Sequence, residues 1–184
     1  MAEPYTDKNS GWTRTINKLE KNGDGLECII YSRKVPNSKM NMVRTDSKLK
    51  GVTVKQYKDF MGDTDKIKND KSIKEFRIIE EFPPDRKIYY MEMNVPLMNN
   101  RTTLLNLTLN DKLDDGKQVL MLSQSIERDD VPEEKGKIRM HILGSGLARM
   151  EGDYLHITEF MQMDMKGYIP SSLMNMVLSE MAQQ

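Results

Sequence analysis

The most constraining feature of this sequence is a series of segments between residues 73 and 164 in which apolar and polar residues alternate with a period of two. In the clearest segment, Arg86–Val95, the residues Tyr89, Met91, Met93 and Val95 fall on one side. This period is typical of a β-strand with one buried face, because successive side chains point to opposite sides of a sheet. Turn-forming residues separate the segments, so the pattern predicts an antiparallel meander. The predicted strands are Ile73–Phe82, Arg86–Val95, Arg101–Asn110, Gln118–Glu127, Lys137–Arg149 and Tyr154–Asp164.

The sequence before this meander predicts a short helix and a hairpin. Trp12, Ile16 and Leu19 recur at helical spacing, which favours one apolar stripe on a helix. Two strands are then predicted at Leu26–Arg33 and Lys39–Thr45, each bounded by turn-forming residues. With the six strands above, they make a sheet of about eight strands.

A second helix is predicted after the hairpin. Thr53 and Gln56 have the spacing of a capping box, in which each side chain satisfies a free backbone N–H at the start of a helix. The apolar stripe of this helix consists of Val54, Tyr57 and Met61. The charged stretch from Asp63 to Ser72 is interpreted as a surface loop.

The last segment predicts a long amphipathic helix. Pro170 suits the first turn of a helix, where its missing N–H costs nothing. The apolar residues that follow at helical spacing are Ile169, Leu173, Met176, Val177 and Met181. We therefore predict an α+β helix-grip fold, in which a curved antiparallel sheet of about eight strands wraps around the C-terminal helix. Residues 1–11 are predicted to be a polar tail and residues 12–184 a single domain.

Composition argues against several classes of partner and location. The 28 Lys and Arg residues balance the 28 Asp and Glu residues, so we expect no nucleic-acid partner. No apolar run approaches the roughly 20 residues of a membrane-spanning helix. The N-terminus has no apolar signal segment, and the single cysteine, Cys28, cannot form an internal disulfide. These features predict a cytoplasmic, intracellular protein.

The residue types that usually carry chemistry are few and scattered. His141 and His156 fall in predicted strands without the spacing of a metal site, and Cys28 has no predicted histidine partner. The string Gly144-Ser145-Gly146 comes closest to a phosphate-binding loop, but glycines inside a strand are more typical of a bulge or bend. We predict no catalytic residue, no metal site and no cofactor, and hence a protein that is not an enzyme.

Several strings resemble the START family, the steroidogenic-regulator-related lipid-transfer domains of the helix-grip superfamily. Residues 163–170, MDMKGYIP, are similar to the family's last strand, its glycine-containing turn and the Ile-Pro that begins its final helix. The string YSRKVP at residues 31–36 resembles an early strand of the family. The segment from Tyr90 through Pro96-Leu97 to Asn100-Arg101 resembles a family segment in which a strand is followed by Pro-Leu and then Asn-Arg. The resemblance covers roughly residues 12–182, and Thr102 stands where the family commonly has an acidic residue.

The resemblance implies a non-enzymatic lipid-binding or lipid-transfer protein that holds one sterol, phospholipid or similar lipid in a hydrophobic cavity under the C-terminal helix. It also implies brief contact with membranes. The lining residues it implies are Tyr89, Met91, Met93, Leu105, Leu107, Met140, Ile157 and Met161 in the strands and Met174 and Met181 in the last helix, with Arg101 and Arg139 as polar partners of the lipid. Ordinary core packing would give the same period-two pattern.

Two further observations leave alternatives open. The chain has 16 methionines and only four phenylalanines, and flexible methionine side chains adapt to ligands of varied shape; a general bias toward methionine is the simpler explanation. A short domain without catalytic groups could also serve as an accessory or scaffold subunit of a large assembly, with protein partners in place of a transferred lipid.

Overall fold

A computed structural model of the chain describes residues 11–19, 27–36, 40–95 and 98–167. Within these ranges ten strands form one sheet, and two short helices and one 3-10 turn accompany it. The strands are β1 Thr13–Leu19, β2 Glu27–Lys34, β3 Asn41–Lys50, β4 Ile73–Phe82, β5 Arg86–Met93, β6 Arg101–Leu113, β7 Gln118–Ser125, β8 Ile138–Arg139, β9 His141–Glu151 and β10 Tyr154–Asp164. The helices are α1 Val54–Gly62 and α2 Thr64–Asn69, and the 3-10 turn is Asp114–Gly116.

The order of the strands across the sheet is β1-β2-β3-β10-β9-β7-β6-β5-β4, with β8 pairing beside β6. The neighbours along this order are antiparallel, whereas β8 is parallel to β6. The chain passes from β3 to β4, at the opposite edge, through α1 and α2. The two helices therefore cross one face of the sheet between these strands.

One face of the sheet packs against α1, and we call it the inner face; the opposite side is the outer face. Val119, Ala148 and Ile157 lie in register on β7, β9 and β10, and they form a buried cluster with Val54 and Tyr57 of α1. Residues in register across neighbouring strands share a face, and so do residues two apart along one strand. These two rules assign every inner-face residue named below.

Helix α1 is fixed at its start and along its length. The backbone N–H of Gln56 donates to Thr53 Oγ1 over 3.2 Å, and the backbone N–H of Thr53 donates to Gln56 Oε1 over 2.9 Å. The predicted capping box is therefore confirmed. Farther along, Lys58 Nζ lies 2.6 Å from Asp85 Oδ1 and 2.7 Å from Asp111 Oδ2. This double ion pair joins α1 to the turn after β4 and to the last part of β6.

The predicted first helix is wrong, because Thr13–Leu19 is strand β1. It pairs with β2 from Thr13 opposite Ser32 to Leu19 opposite Glu27. The segment contains the β-branched residues Thr13, Thr15 and Ile16, which favour extended backbone. An isolated helix of this length is marginal in water, whereas the edge of β2 offers a row of hydrogen-bonding partners.

Two further predictions are corrected in detail. The predicted loop 63–72 contains α2, whose first backbone groups are capped by Asp63; its side chain accepts a hydrogen bond from the backbone N–H of Asp65 over 3.0 Å. The predicted strand Lys137–Arg149 is two strands, since β8 ends at Arg139 and β9 starts at His141. The sheet therefore has ten strands and not about eight, with β1 and the divided segment accounting for the difference.

The remaining strand predictions agree with the structure, and β4 and β10 have the predicted bounds. The predicted polar tail, apart from Gly11, and the predicted C-terminal helix lie outside the described residues, as do Met174 and Met181. Among the described helices, none is long and apolar enough to cross a membrane.

Candidate functional site

The inner face carries a second apolar cluster, which we call the methionine cluster. Its buried members are Tyr89, Leu105, Leu107, Met140 and Ile142, and Phe76, Met91, Met93, Met121 and Met163 pack against it while partly buried. Burial raises the pKa of Tyr89 to about 12, which reflects the apolar surroundings of its phenol group. At the margins of this face, Ile78 is 38% and Met161 is 36% exposed. The inner face thus keeps accessible apolar surface.

Methionine is concentrated on this side of the sheet. Eight of the 16 methionines, all within the described part of the chain, lie on the inner face or pack against its clusters. They are Met61, Met91, Met93, Met121, Met140, Met150, Met161 and Met163. Methionine is apolar, so burial of this face accounts for the placement, and these flexible side chains supply much of the inner apolar surface.

Most of the lining residues predicted from the sequence come together. Tyr89, Met91, Met93, Leu105, Leu107 and Met140 belong to the methionine cluster, Ile157 belongs to the α1 cluster, and Met161 shares their face. The structure does not describe Met174 and Met181. The described apolar residues of the predicted lining therefore share the inner face, on β5, β6 and β10 and at the residue before β9.

Arg101 is fully buried at the end of the inner face where β6 begins. Its Nε donates to the carbonyl oxygen of Met165 over 2.8 Å and its Nη2 to the carbonyl oxygen of Lys166 over 3.2 Å, while Nη1 donates to the carbonyl oxygen of Asn99. Burial lowers the pKa of Arg101. The guanidinium group therefore holds the turn after β10, and three of its N–H groups are already engaged.

Arg139, the other predicted polar partner, lies away from the lining. It is in register with Thr102, which points to the outer face, and its Nη2 donates to the carbonyl oxygens of Val131 and Pro132 over 3.0 and 3.1 Å. Its guanidinium carbon stands 5.9 Å from the ring centre of Tyr90, also on the outer face. The structure thus places the two arginines on opposite sides of the sheet.

A buried ionic network holds the segment between β7 and β8 against the outer face. Glu92 is 1% exposed and pairs with Lys137 at 2.6 Å and Lys74 at 3.1 Å, and it also accepts a hydrogen bond from Asn100. Burial raises the pKa of Glu92, but the hydrogen bonds from Lys137, Asn100 and Lys74 lower it more, to about 2. The sequence shows acidic and basic residues here, but not which of them meet.

The inner face also contains polar residues that the sequence interpretation missed. The hydroxyl of Tyr57, on α1, donates to Glu159 Oε1, on β10, over 2.8 Å. Burial raises the pKa of Tyr57, and the charge and hydrogen bond of Glu159 raise it further. Ser123 of β7 is 9% exposed on the same face. Glu159 stands midway between Ile157 and Met161, two predicted lining residues, so the period-two pattern already placed a carboxylate at an inward position.

Of the bulge or bend predicted at Gly144-Ser145-Gly146, the bulge is not present, because β9 pairs with β10 and β7 through this string without a register shift. The two glycines instead make room for inner-face side chains. A Cβ atom on Gly144 would lie 2.5 Å from Ser123 Oγ, and one on Gly146 would lie 3.2 Å from Glu159 Cγ and 3.3 Å from Met121 Cε. The absence of two side chains therefore allows polar groups from β7 and β10 to lie over β9.

A surface pocket of about 260 Å³ opens between α1 and the ends of β5 and β6. Its walls combine Leu107 and Leu109 of the inner face with charged residues, among them Lys58 and Asp85. Within the described residues, no group of three or more His, Cys, Asp or Glu side chains could hold a metal ion.

The chain matches the family model described as START domain over residues 6–183. It is similar in structure to a fragment of the STAR-related lipid transfer protein from Xanthomonas axonopodis, with 20% identity and a TM-score of 0.72 over 91% of this chain and 90% of that chain. Human STARD10 gives 17% identity and a TM-score of 0.74 over 94% of this chain and 69% of that one.

Human StAR-related lipid transfer protein 5 gives 15% identity and a TM-score of 0.68 over 96% of this chain and 83% of that one. At such low identities these similarities show the shared fold. No curated protein matches the chain by sequence at a significant level.

Proposed function

Because this chain belongs to the START domain family, we propose that it binds one lipid against the inner face of its sheet and transfers that lipid between membranes inside the cell. The observation that supports this most directly is the methionine cluster. Its partly buried members and the exposed edges of Ile78 and Met161 leave apolar surface accessible on the inner face.

The energetics of such a site require no reacting group. Each lipid CH2 moved from water into apolar surroundings contributes about 0.8 kcal/mol. Methionine side chains rotate easily and would adjust to a sterol ring system or to an acyl chain. The proposal therefore includes no catalytic step, metal or cofactor. In this proposal the predicted C-terminal helix, with Met174 and Met181, covers the bound lipid.

Purification of the chain from cells, followed by native mass spectrometry and extraction of retained lipid, tests the binding. Movement of a fluorescent sterol and a fluorescent phospholipid from donor to acceptor vesicles tests the transfer. We expect one lipid per chain and transfer faster than the spontaneous rate. A chain that retains and transfers no lipid from a broad panel of sterols, phospholipids and fatty acids would refute the proposal.

Two matched substitutions sharpen the test. Met161→Glu puts a charge on the inner face, and Leu143→Glu puts the same charge on the outer face of the neighbouring strand; Met161 is 36% and Leu143 is 52% exposed. Both sites are open enough for the chain to fold with the charge. We expect Met161→Glu to reduce lipid retention at least about tenfold, since an unpaired carboxylate disfavours an apolar ligand, and Leu143→Glu to leave it unchanged. Equal retention by both variants would argue against binding on the inner face.

One observation favours the second candidate, an accessory subunit of a larger assembly. Leu122 on β7 and Leu143 on β9 are 48% and 52% exposed on the outer face, and their strands are direct neighbours. Exposed apolar side chains grouped in this way can mark a protein–protein contact. A subunit would elute from a native extract far above its own mass, and Leu122→Ser with Leu143→Ser would shift it to the monomer position. Elution as a monomer in both cases would contradict this candidate.

A further inference from the structure

Three polar side chains lie beside the two apolar clusters of the inner face. On one side is the cluster covered by α1, and on the other is the methionine cluster. Glu159 on β10, bonded to Tyr57 of α1, lies between them, and Ser123 on β7 lies beside Met121 and Leu107 of the methionine cluster. A ligand whose apolar body lies on the methionine cluster would therefore have its polar end near these three side chains.

Two of these side chains retain unused hydrogen-bonding capacity. Glu159 is half-buried and receives the Tyr57 hydroxyl on Oε1, while Oε2 accepts no hydrogen bond from the residues that the structure describes. The hydroxyl of Ser123, a residue only 9% exposed, has no hydrogen-bond partner among those residues. A ligand hydroxyl that reached these atoms would find an acceptor in Glu159 Oε2 and a donor in the Ser123 hydroxyl, neither of which is used by the described residues.

The glycines of β9 indicate that these positions are built into the sheet. The hydroxyl of Ser123 and the stem of Glu159 occupy space that side chains at Gly144 and Gly146 would fill. Met121, a member of the methionine cluster, also lies over Gly146, at 3.3 Å from its hypothetical Cβ. The polar group is thus continuous with the apolar surface, as an amphipathic ligand requires.

The charge of this site favours a particular kind of polar end. An open carboxylate oxygen accepts hydrogen bonds and repels anions. Three cations on this side of the sheet are already engaged: Arg101 binds backbone carbonyl oxygens, Lys58 pairs with two aspartates, and Lys87 lies 3.5 Å from Glu81. A phosphate or a fatty-acid carboxylate would meet Glu159 with none of these cations free to neutralise it.

We propose that Glu159, with Tyr57 and Ser123, binds the polar end of an uncharged, hydroxyl-bearing lipid; this inference rests on the proposed lipid binding. The same carboxylate would disfavour anionic lipids. From Glu159 to Asp164 at the end of β10 the strand rises about 17 Å, which is the length available to the apolar body. A sterol or a long-chain alcohol has both the donor and a body of this kind. Glu159 Oε2 would accept a hydrogen bond from the lipid hydroxyl, and the Ser123 hydroxyl would donate one to the lipid oxygen.

Competition for a bound fluorescent sterol tests this with two pairs of lipids that differ in the charge of the polar end: cholesterol against cholesterol sulfate, and 1-tetradecanol against tetradecanoate. We expect the uncharged member of each pair to bind at least about tenfold more tightly, because one charge-assisted hydrogen bond is gained and one repulsion avoided. Competition by one uncharged lipid and not the other distinguishes a sterol from a long-chain alcohol as the ligand.

The variant Glu159→Gln removes the charge while keeping the size of the side chain. This substitution should reduce the preference for the uncharged lipid over the anionic one to about threefold or less in each pair, mainly by improving the binding of the anionic lipid. Ser123→Ala should weaken the binding of the uncharged lipid in each pair. Glu133→Gln, an exposed substitution in the segment between β7 and β8, is the control and should keep the wild-type preference. Thermal unfolding of each variant shows whether it is folded.

The two proposals fail in different ways. If the chain binds neither the fluorescent sterol nor any of the competing lipids, the proposed function itself fails. If lipids bind but the anionic members compete equally well or better, or if folded Glu159→Gln keeps the wild-type preference, the assignment of Glu159 is overturned while lipid binding stands.

Discussion

Arg101 Nε donates a hydrogen bond to the carbonyl oxygen of Met165 over 2.8 Å, and this bond joins the first residue of β6 to the turn after β10. The turn needs such support, since Lys166 and Gly167 both have positive φ angles, of 47° and 74°. For a non-glycine residue such as Lys166 this conformation is strained and persists where neighbouring groups hold it. The contact fixes the point at which the chain leaves the sheet.

The first prediction concerns this contact. Arg101→Lys should lower the free energy of unfolding by about 1–3 kcal/mol. The planar guanidinium group directs separate N–H groups at three carbonyl oxygens, and the single ammonium group of lysine cannot reach all three. Urea denaturation measures the change. Arg149→Lys, at a side chain that is 46% exposed, is the control and should differ little from wild type. A similar effect of both substitutions would show that the buried contacts of Arg101 add nothing.

The second prediction concerns the space above β9. Gly144→Ala should destabilise the chain by about 1–3 kcal/mol through overpacking against the Ser123 hydroxyl. In a Ser123→Ala background the same substitution should cost clearly less, because the remaining Cβ of residue 123 lies 3.9 Å away, in ordinary contact. Urea denaturation of the four proteins of this double-mutant cycle measures the coupling. No coupling would mean that other atoms limit the space at residue 144.

The third prediction concerns pH and Glu92. Its pKa is lowered from the ordinary value of 4.5 to about 2, so the unfolded chain binds this proton at a higher pH than the folded chain does. The resulting stabilisation is complete above about pH 4.5 and is lost as the pH falls toward 2. Glu92→Gln should therefore be less stable than wild type at pH 7, with a difference that shrinks below pH 4.5.

Chemical denaturation at a series of pH values measures this difference, with Glu133→Gln as the exposed control. A difference between wild type and Glu92→Gln that stays constant from pH 7 to pH 3 would contradict the proposed ionic network.

The fourth prediction compares two lysines of α1. Lys58 is 23% exposed and bridges Asp85 and Asp111, whereas Lys55 is 83% exposed and pairs with Asp59 one turn away. Lys58→Gln should lower stability by about 1 kcal/mol, and less in 1 M NaCl, while Lys55→Gln should cost no more than a few tenths. Thermal unfolding at low and high salt measures both. An equal loss for the two variants would show that Lys58 does not tie α1 to the sheet.

The prediction of strands from the sequence succeeded where the pattern was local. β4 and β10 have their predicted bounds because alternation and turn residues specify them without reference to the rest of the chain. It failed at Thr13–Leu19, where the same residues fit a helical stripe. There the available edge of β2 decides the conformation, and a sequence pattern does not reveal which edge will be free.

The site shows the same division. The sequence by itself determined which residues alternate, and hence that Tyr89, Met91, Met93, Leu105 and Leu107 would share faces of their strands. It also placed Glu159 between inward-pointing residues. These are consequences of a period of two within single strands.

Only the tertiary structure decided which side chains meet across strands. It set Arg101 on the inner face and Arg139 on the outer face, although the sequence interpretation gave both the same role. It brought Tyr57 to Glu159, 102 residues farther along the chain. Such contacts depend on strand order and register, which the whole sheet establishes together, because each strand reaches its lowest free energy only beside its particular neighbours.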